Sequence, residues 1–528
     1  MSFIKSTGES LKHLIFGYSR SGDFERKPKL LKWRSSRFFI IATVVLGIYV
    51  DIFLYGSTVV VLPFVLESQA GVPHEEIGKW TGHSMLTYSL ASLVSSPIAG
   101  FLADKAQNRR EPLLFGLLFL LTGCACLWAA TCISVLLLGR FLQGISAGFV
   151  WSIGLALIAD TVGYNEVGQV LSHADIALCF GLASAPPISG TVLRVSGKDA
   201  VYALVMGLIV LDVFMRLFLV ERSVAEKFEP SSQGFIGVIQ QTPPMKQTIS
   251  SESDAITNEI TNATTNETTK DSSYLEYAGV LFNSWRIIGA LFGTWAVAHI
   301  LQATSCHIVS SANCFRISID VLVPVFCEER YGWGPFRVGM LLLCFYGPSL
   351  LCIFTGQLAD RHGGRWLAIG GFLGCIPSFI GLTTVEIFSD DDAPLVMWIL
   401  MLCAGTSLSF ANTPVMAEIV YALVEKQGKY PSLRRNSGGY GLAYGMFMTI
   451  FSLGSTTASA GSPPFLKLKH GWSAAMYSLA GCCLLTIIPV ALWTGSKRPK
   501  GRWGMRKGSS KPLNTEQTIS LEGVDHSG

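Results

Sequence analysis

Gly100-Phe101-Leu102-Ala103-Asp104-Lys105 returns about half a chain later as Gly356-Gln357-Leu358-Ala359-Asp360-Arg361. Each copy closes a long apolar run. Each is followed by basic residues (Arg109 and Arg110; Arg365) and then by another apolar run. One element repeated at half-chain spacing implies two homologous halves. The composition places those halves in a membrane: 50% of the 528 residues are hydrophobic and 14% are charged, where a soluble domain carries about 25% charged.

The apolar blocks are long enough to cross a bilayer, which takes about 20 residues each. Twelve spans are expected, at 38–66, 81–103, 112–133, 135–159, 168–195, 200–220, 286–326, 336–359, 366–388, 394–424, 437–460 and 471–494. In lipid the backbone must satisfy its own polar groups, so runs of this length form helices. The expected fold is therefore an all-α membrane protein, twelve transmembrane helices in two pseudo-symmetric six-helix bundles. The bundles cover 38–220 and 286–494. A basic tail (1–37) precedes them, a disordered linker (221–285) joins them and a second tail (495–528) follows. The seventh block exceeds one simple helix and holds a polar patch, Ser310-Ser311-Ala312-Asn313 with Arg316, which leaves the stretch 299–326 open between a broken helix, a helix plus a re-entrant piece, and a mis-spliced reading of the gene.

Charge sets the orientation. Nine Lys/Arg lie in residues 1–37, and further clusters (Lys105, Arg109, Arg110; Arg361, Arg365; Lys426, Lys429, Arg434, Arg435) fall on alternate loops. One opposite loop is acidic (Asp390, Asp391, Asp392). The positive-inside rule puts both termini and the linker in the cytoplasm, in a plasma or vacuolar membrane. The basic ends are read as topology signals that meet lipid phosphates, not nucleic acid. The first apolar block is too long for a signal peptide. Sequons at Asn262 and Asn266 then stay unmodified. Most cysteines lie inside spans as small apolar residues, with no metal spacing.

Ionisable groups inside spans carry the functional reading, because each is costly in lipid. Asp51 sits mid-span in the first helix. Asp320 precedes Pro324 in the seventh block, and Glu418 follows Pro414 in the tenth span. These three are the candidate proton- or substrate-binding acids. Arg140, in the fourth span, requires an acceptor; structural brace and proton relay are both open. Asp212 and Arg216, spaced i,i+4, are expected to pair on one helix face. Asp104 and Asp360 end their spans, where a carboxylate can cap a neighbouring helix N-terminus and gate the pathway. No nucleotide loop, metal cluster or nucleophile–base set appears. The chain is therefore expected to be no enzyme, to need no cofactor, and to draw energy from a proton gradient or from the substrate's own.

These residues resemble the major facilitator superfamily over roughly 38–494, nearest in pattern to vesicular amine transporters and fungal twelve-span drug:proton antiporters. Asp104-Lys105 with Arg109 and Arg110, and Asp360-Arg361 with Arg365, look like the family's two loop motifs. Arg140, Gln143 and Gly144 resemble its fourth-helix motif, and Pro186, Pro187 and Gly190 its antiporter motif. Gating roles for these residues are what the resemblance implies. Asp51 before Val59-Val60-Val61-Leu62-Pro63, and Asp320 before Pro324, are similar to the first and seventh helices of vesicular amine transporters. Two acids of that group stand here as Ser409 and Met448, which argues against monoamines. The implied activity is proton-coupled antiport exporting a small organic molecule, a drug-like compound or secondary metabolite, by a monomer. A nutrient importer or uniporter of the same fold, and a receptor-like sensor, are the alternatives.

Overall fold

The computed structural model describes residues 30–106, 108–162, 166–222, 225, 279, 283–306, 335–385, 393–429, 439–466 and 471–495. Every regular element among them is helical. The first half holds α1 (Leu31–Arg34), α2 (Arg37–Ser68), α3 (His74–Lys105), α4 (Arg110–Trp128), α5 (Ile133–Val162) and α6 (Val167–Phe218). The second holds α7 (Trp285–Cys306), α8 (Pro335–Tyr346), a 3-10 turn (Gly347–Leu351), α9 (Cys352–His362), α10 (Arg365–Thr384), α11 (Ala393–Lys429), α12 (Tyr440–Leu466) and α13 (Gly471–Trp493).

Among the described residues, nine helical stretches are long and apolar enough to cross a membrane. One of these, α6, runs for 52 residues, about 78 Å at 1.5 Å per residue, while a bilayer core is about 30 Å thick. It is long enough to cross twice. Its turn is at Gly197, whose φ of 79° is the one non-helical backbone in the element and suits a residue without Cβ. The expected spans 168–195 and 200–220 are its two arms. Of the expected seventh block, α7 covers the beginning; Asp320 and the polar patch at 310–313 lie outside the described residues. So do both sequons and nearly all of the linker.

The helices keep apolar side chains on their outer faces. On α13, Leu484, Leu485, Ile488 and Leu492 are each more than half exposed. Such a stripe suits lipid, where an apolar face needs no partner helix. Inside, one buried cluster runs through both halves, and Trp151 on α5 stacks on Phe451 of α12 with ring centroids 6.3 Å apart.

Two close crossings join the halves. α3 meets α12, and the first arm of α6 meets α9. A Cβ added to Gly100 would lie 2.4 Å from the Gly441 carbonyl oxygen, and one added to Gly356 would lie 2.4 Å from the Gly168 carbonyl oxygen. Only glycine lets these backbones approach so closely. The repeated motif thus supplies the same contact in each half.

Candidate functional site

Beside each crossing a motif carboxylate covers a helix N-terminus. The first N–H groups of a helix have no partner inside it, and the helix dipole favours negative charge there. Asp104, at the end of α3, accepts the backbone N–H groups of Gly441 (2.8 Å) and Leu442 (2.7 Å) at the start of α12. Asp360, on α9, accepts those of Gly168 (2.9 Å) and Gln169 (2.8 Å) at the start of α6. Each carboxylate belongs to one half and caps a helix of the other. The flanking groups differ. Arg109 lies 3.5 Å from Asp104 and 2.8 Å from Asp160, whereas Asp360 accepts the Tyr421 hydroxyl at 2.5 Å.

The basic residues around the motifs do less across the halves. The Lys105 ammonium lies over the Phe101 ring, and Arg365 lies over Trp366. Arg361 is exposed. Arg110 donates its backbone N–H to Glu221 (2.8 Å) and its guanidinium to the Leu217 carbonyl, tying the end of α6 to the start of α4. Glu221 lies beyond the spanning segment. Burial lifts its carboxyl above the usual range, against the opposing pull of the Arg110 N–H and the nearby arginines.

Asp51 is fully buried on α2. The Trp151 indole N–H donates to its Oδ2 at 3.2 Å, and the Tyr88 side chain also acts on the carboxylate. One turn earlier on α2, Gly47 leaves room for the Arg216 guanidinium: a Cβ there would lie 2.0 Å from its Nη2 and 3.2 Å from Asp212 Oδ1. Asp212 and Arg216 form the i,i+4 pair at 2.9 Å, wholly buried. The pair does not stand apart from Asp51, because the Arg216 guanidinium reaches α2 one turn before it. Asp51, Asp212 and Arg216 thus make one buried cluster of two acids and one base. Sequence spacing showed the pair but not its neighbour, since α2 and the second arm of α6 are joined only by tertiary packing.

Arg140 is fully buried. It donates to Ser84 Oγ (2.9 Å) and Gln143 Oε1 (2.8 Å) and lies over the rings of Tyr55 and Tyr88. Gly144 lies against α3, where a Cβ would meet the Tyr88 carbonyl oxygen at 2.3 Å. Pro186 and Pro187 stand inside helical backbone in α6. That stretch and Gly190 belong to the arm that packs on α2: Ala185 faces Gly56, and Ser189 donates to Ser57 at 2.7 Å. Glu418 stands apart from the Asp51 cluster. It pairs with Arg286 at 2.6 Å and accepts the Gly495 N–H at 2.7 Å, and Arg286 also holds Glu425.

One acid was not singled out from the sequence. Asp175, on the first arm of α6, is buried. Its Oδ2 accepts Cys352 Sγ–H (2.9 Å) and the Thr413 hydroxyl (2.8 Å), and its Oδ1 accepts the Asn412 amide. It lines a small cleft with Cys179, Phe345, Tyr346 and Ser349. The signal that marks Asp51, an acid within a span, was present in the expected span 168–195.

Residues 42–439 match the family model of the Major Facilitator Superfamily. The MFS-type transporter C18.02 of Schizosaccharomyces pombe is 25% identical over 80% of this chain and 88% of its own. The MFS-type transporter ppzB of Metarhizium rileyi is 25% identical over 89% of this chain and 98% of its own. The structure of the proton:xylose symporter XylE bound to 6-bromo-6-deoxy-D-glucose shares the fold, with a TM-score of 0.61 at 15% identity over 86% of this chain and 94% of that one. The chain belongs to the Major Facilitator Superfamily and is a multi-pass membrane transporter of a small molecule, not an enzyme.

Proposed function

We propose that the protein couples movement of a small organic solute to protons by alternating access, with Asp51 as the coupling acid. The buried cluster carries this reading. Asp51, Asp212 and Arg216 sum to one negative charge when both carboxylates are ionised, and to zero when one holds a proton. A net charge buried at membrane depth costs several kcal/mol, so uptake of one proton neutralises the cluster. Arg216 bonds Asp212 directly, whereas the donor to Asp51 is the neutral Trp151 indole, which leaves Asp51 as the acid that takes the proton. Arg140, Gln143 and Gly144 brace the neighbouring helices. In this reading Glu418 is a brace at a helix end, and the Asp104 and Asp360 caps hold the basic side shut. Asp320 keeps the role its sequence position suggests, a second acid facing the pathway. The full fold is twelve spans with the basic loops cytoplasmic.

Direction has two readings. Antiport that exports the solute follows from the motif pattern. Import or uniport of a nutrient is the one the comparisons favour, since the matched fold serves a proton:xylose symporter. A solute screen on proteoliposomes with an imposed pH gradient separates them. A symporter accumulates solute when the outside is acid, an antiporter when the inside is acid, and a uniporter equilibrates solute with no gradient. In either coupled case Asp51→Asn abolishes gradient-driven accumulation while the protein still folds. Unchanged coupled accumulation in that variant rejects Asp51 as the coupling acid.

A further inference from the structure

Asp175 differs from the other buried acids described above in being held across the halves by side chains alone. The carboxylate is on the first half, and the three donors that hold it, Cys352, Asn412 and Thr413, are all on the second. Asp51 and Asp212 keep their partners within the first half. Asp104 and Asp360 hold helix termini. Any motion that separates α6 from α9 and α11 takes all three donors from Asp175 at once.

We propose that Asp175 is a second proton-binding site of the transport cycle, ionised while the halves are clasped around it and protonated when they part. The chemistry is a competition. Burial disfavours the charge, and donors aimed at the ionised form favour it. In the clasped state two oxygens receive three donors, which suits a carboxylate with only lone pairs to offer. A protonated carboxyl would place its own O–H against one of those donors. Once the donors withdraw, an ionised Asp175 would be stranded at membrane depth at a cost of several kcal/mol. A proton from water that binds to one carboxylate oxygen removes the charge, and no other bond changes. Among the described residues, the titratable groups that face it are Cys179 on its own helix, Cys352 on α9 and Tyr346 at the end of α8. Thiols and phenols ordinarily stay neutral at neutral pH, so none replaces the proton. The inference rests on alternating access but not on Asp51.

Infrared difference spectra of the purified protein in lipid nanodiscs, recorded as pH is lowered with no solute, test the site directly. A protonated-carboxyl band is expected that Asp175→Asn removes and Asp51→Asn leaves in place. In Thr413→Val, which keeps the acid but removes one donor to its charged form, the band should appear about one pH unit higher. Thiol labelling tests the clasp. Cys352 is buried and Cys132 is exposed, so the rate at Cys352 divided by that at Cys132 reports opening. It should rise as pH falls in the wild type, and in Asp175→Asn it should be about tenfold higher at neutral pH and insensitive to pH. An infrared spectrum unchanged by Asp175→Asn, or a Thr413→Val band at the wild-type pH, overturns the proton site. A Cys352 ratio that ignores both pH and the substitution overturns the clasp. Because these readouts need no transported solute, they fail separately from the Asp51 assignment, which fails only in coupled transport.

Discussion

The Asp104 and Asp360 caps share one backbone arrangement and differ in the side chains around it. In both, a carboxylate at the end of a motif helix receives two N–H groups from the first turn of a helix in the other half. In both, a glycine one turn earlier in the motif lies against a backbone carbonyl. Around Asp104 the second layer is ionic, with Arg109 bridging to Asp160. Around Asp360 it includes a phenol, Tyr421. The shared part is what the proposed closure of the basic side rests on. Under that proposal the differing part should set how each closure responds to salt and charge.

The largest effect belongs to the shared glycines. Gly100→Val and Gly356→Val push side-chain carbons into backbone, not into movable side chains. Each should cost the closed state about 1–3 kcal/mol and open the basic side to labelling by a water-soluble thiol reagent at an introduced cysteine. An effect in one half only would break the equivalence of the two crossings.

Removing the charge of one cap comes next. Asp104→Asn and Asp360→Asn each keep one acceptor oxygen, and each turns the other position into a donor that faces an N–H. A lost cap is worth about 1–2 kcal/mol, roughly a tenfold change in the closed population. The two variants should match within a factor of about three, read by the same labelling assay.

A smaller effect separates the halves. Arg109→Ala leaves Asp104 and Asp160 facing each other. The Asp160 side chain is 31% exposed, so solvent screens the loss to about 1 kcal/mol. Tyr421→Phe removes one neutral donor from Asp360 and should cost about as much. The pair is told apart by ionic strength. Raising salt should weaken closure in the wild type by a few tenths of a kcal/mol and should have no such effect once Arg109 is gone.

Much of this was legible in the sequence for a physical reason. A repeated Gly-x-x-x-Asp element, apolar runs of bilayer length and alternating basic loops are local patterns. They carry the two halves, the helices and the idea that Asp104 and Asp360 meet helix ends. The turn at Gly197 falls where the hydropathy breaks between 195 and 200. The i,i+4 pair of Asp212 and Arg216 is likewise local and is present as read. What could not be read depends on which helices touch. Gly47 opposite Arg216 puts the pair beside Asp51, and nothing in the spacing of residues 47, 51, 212 and 216 says so. Asp175 draws its donors from Cys352, Asn412 and Thr413, all far along the chain. Glu418 follows a proline in a span, as a pathway acid does, yet it meets Arg286 and the Gly495 N–H, groups that sequence distance hides.

The central claim, that paired carboxylate caps hold the basic side of two rocking halves shut, is met most directly by a distance. Spin labels on exposed positions of the basic side, one per half, report that distance by pulsed electron resonance in nanodiscs. The account predicts a short, narrow distribution in the wild type, a longer component in Asp104→Asn or Asp360→Asn, and a dominant long component when both are changed. A double variant that keeps the wild-type distribution contradicts it.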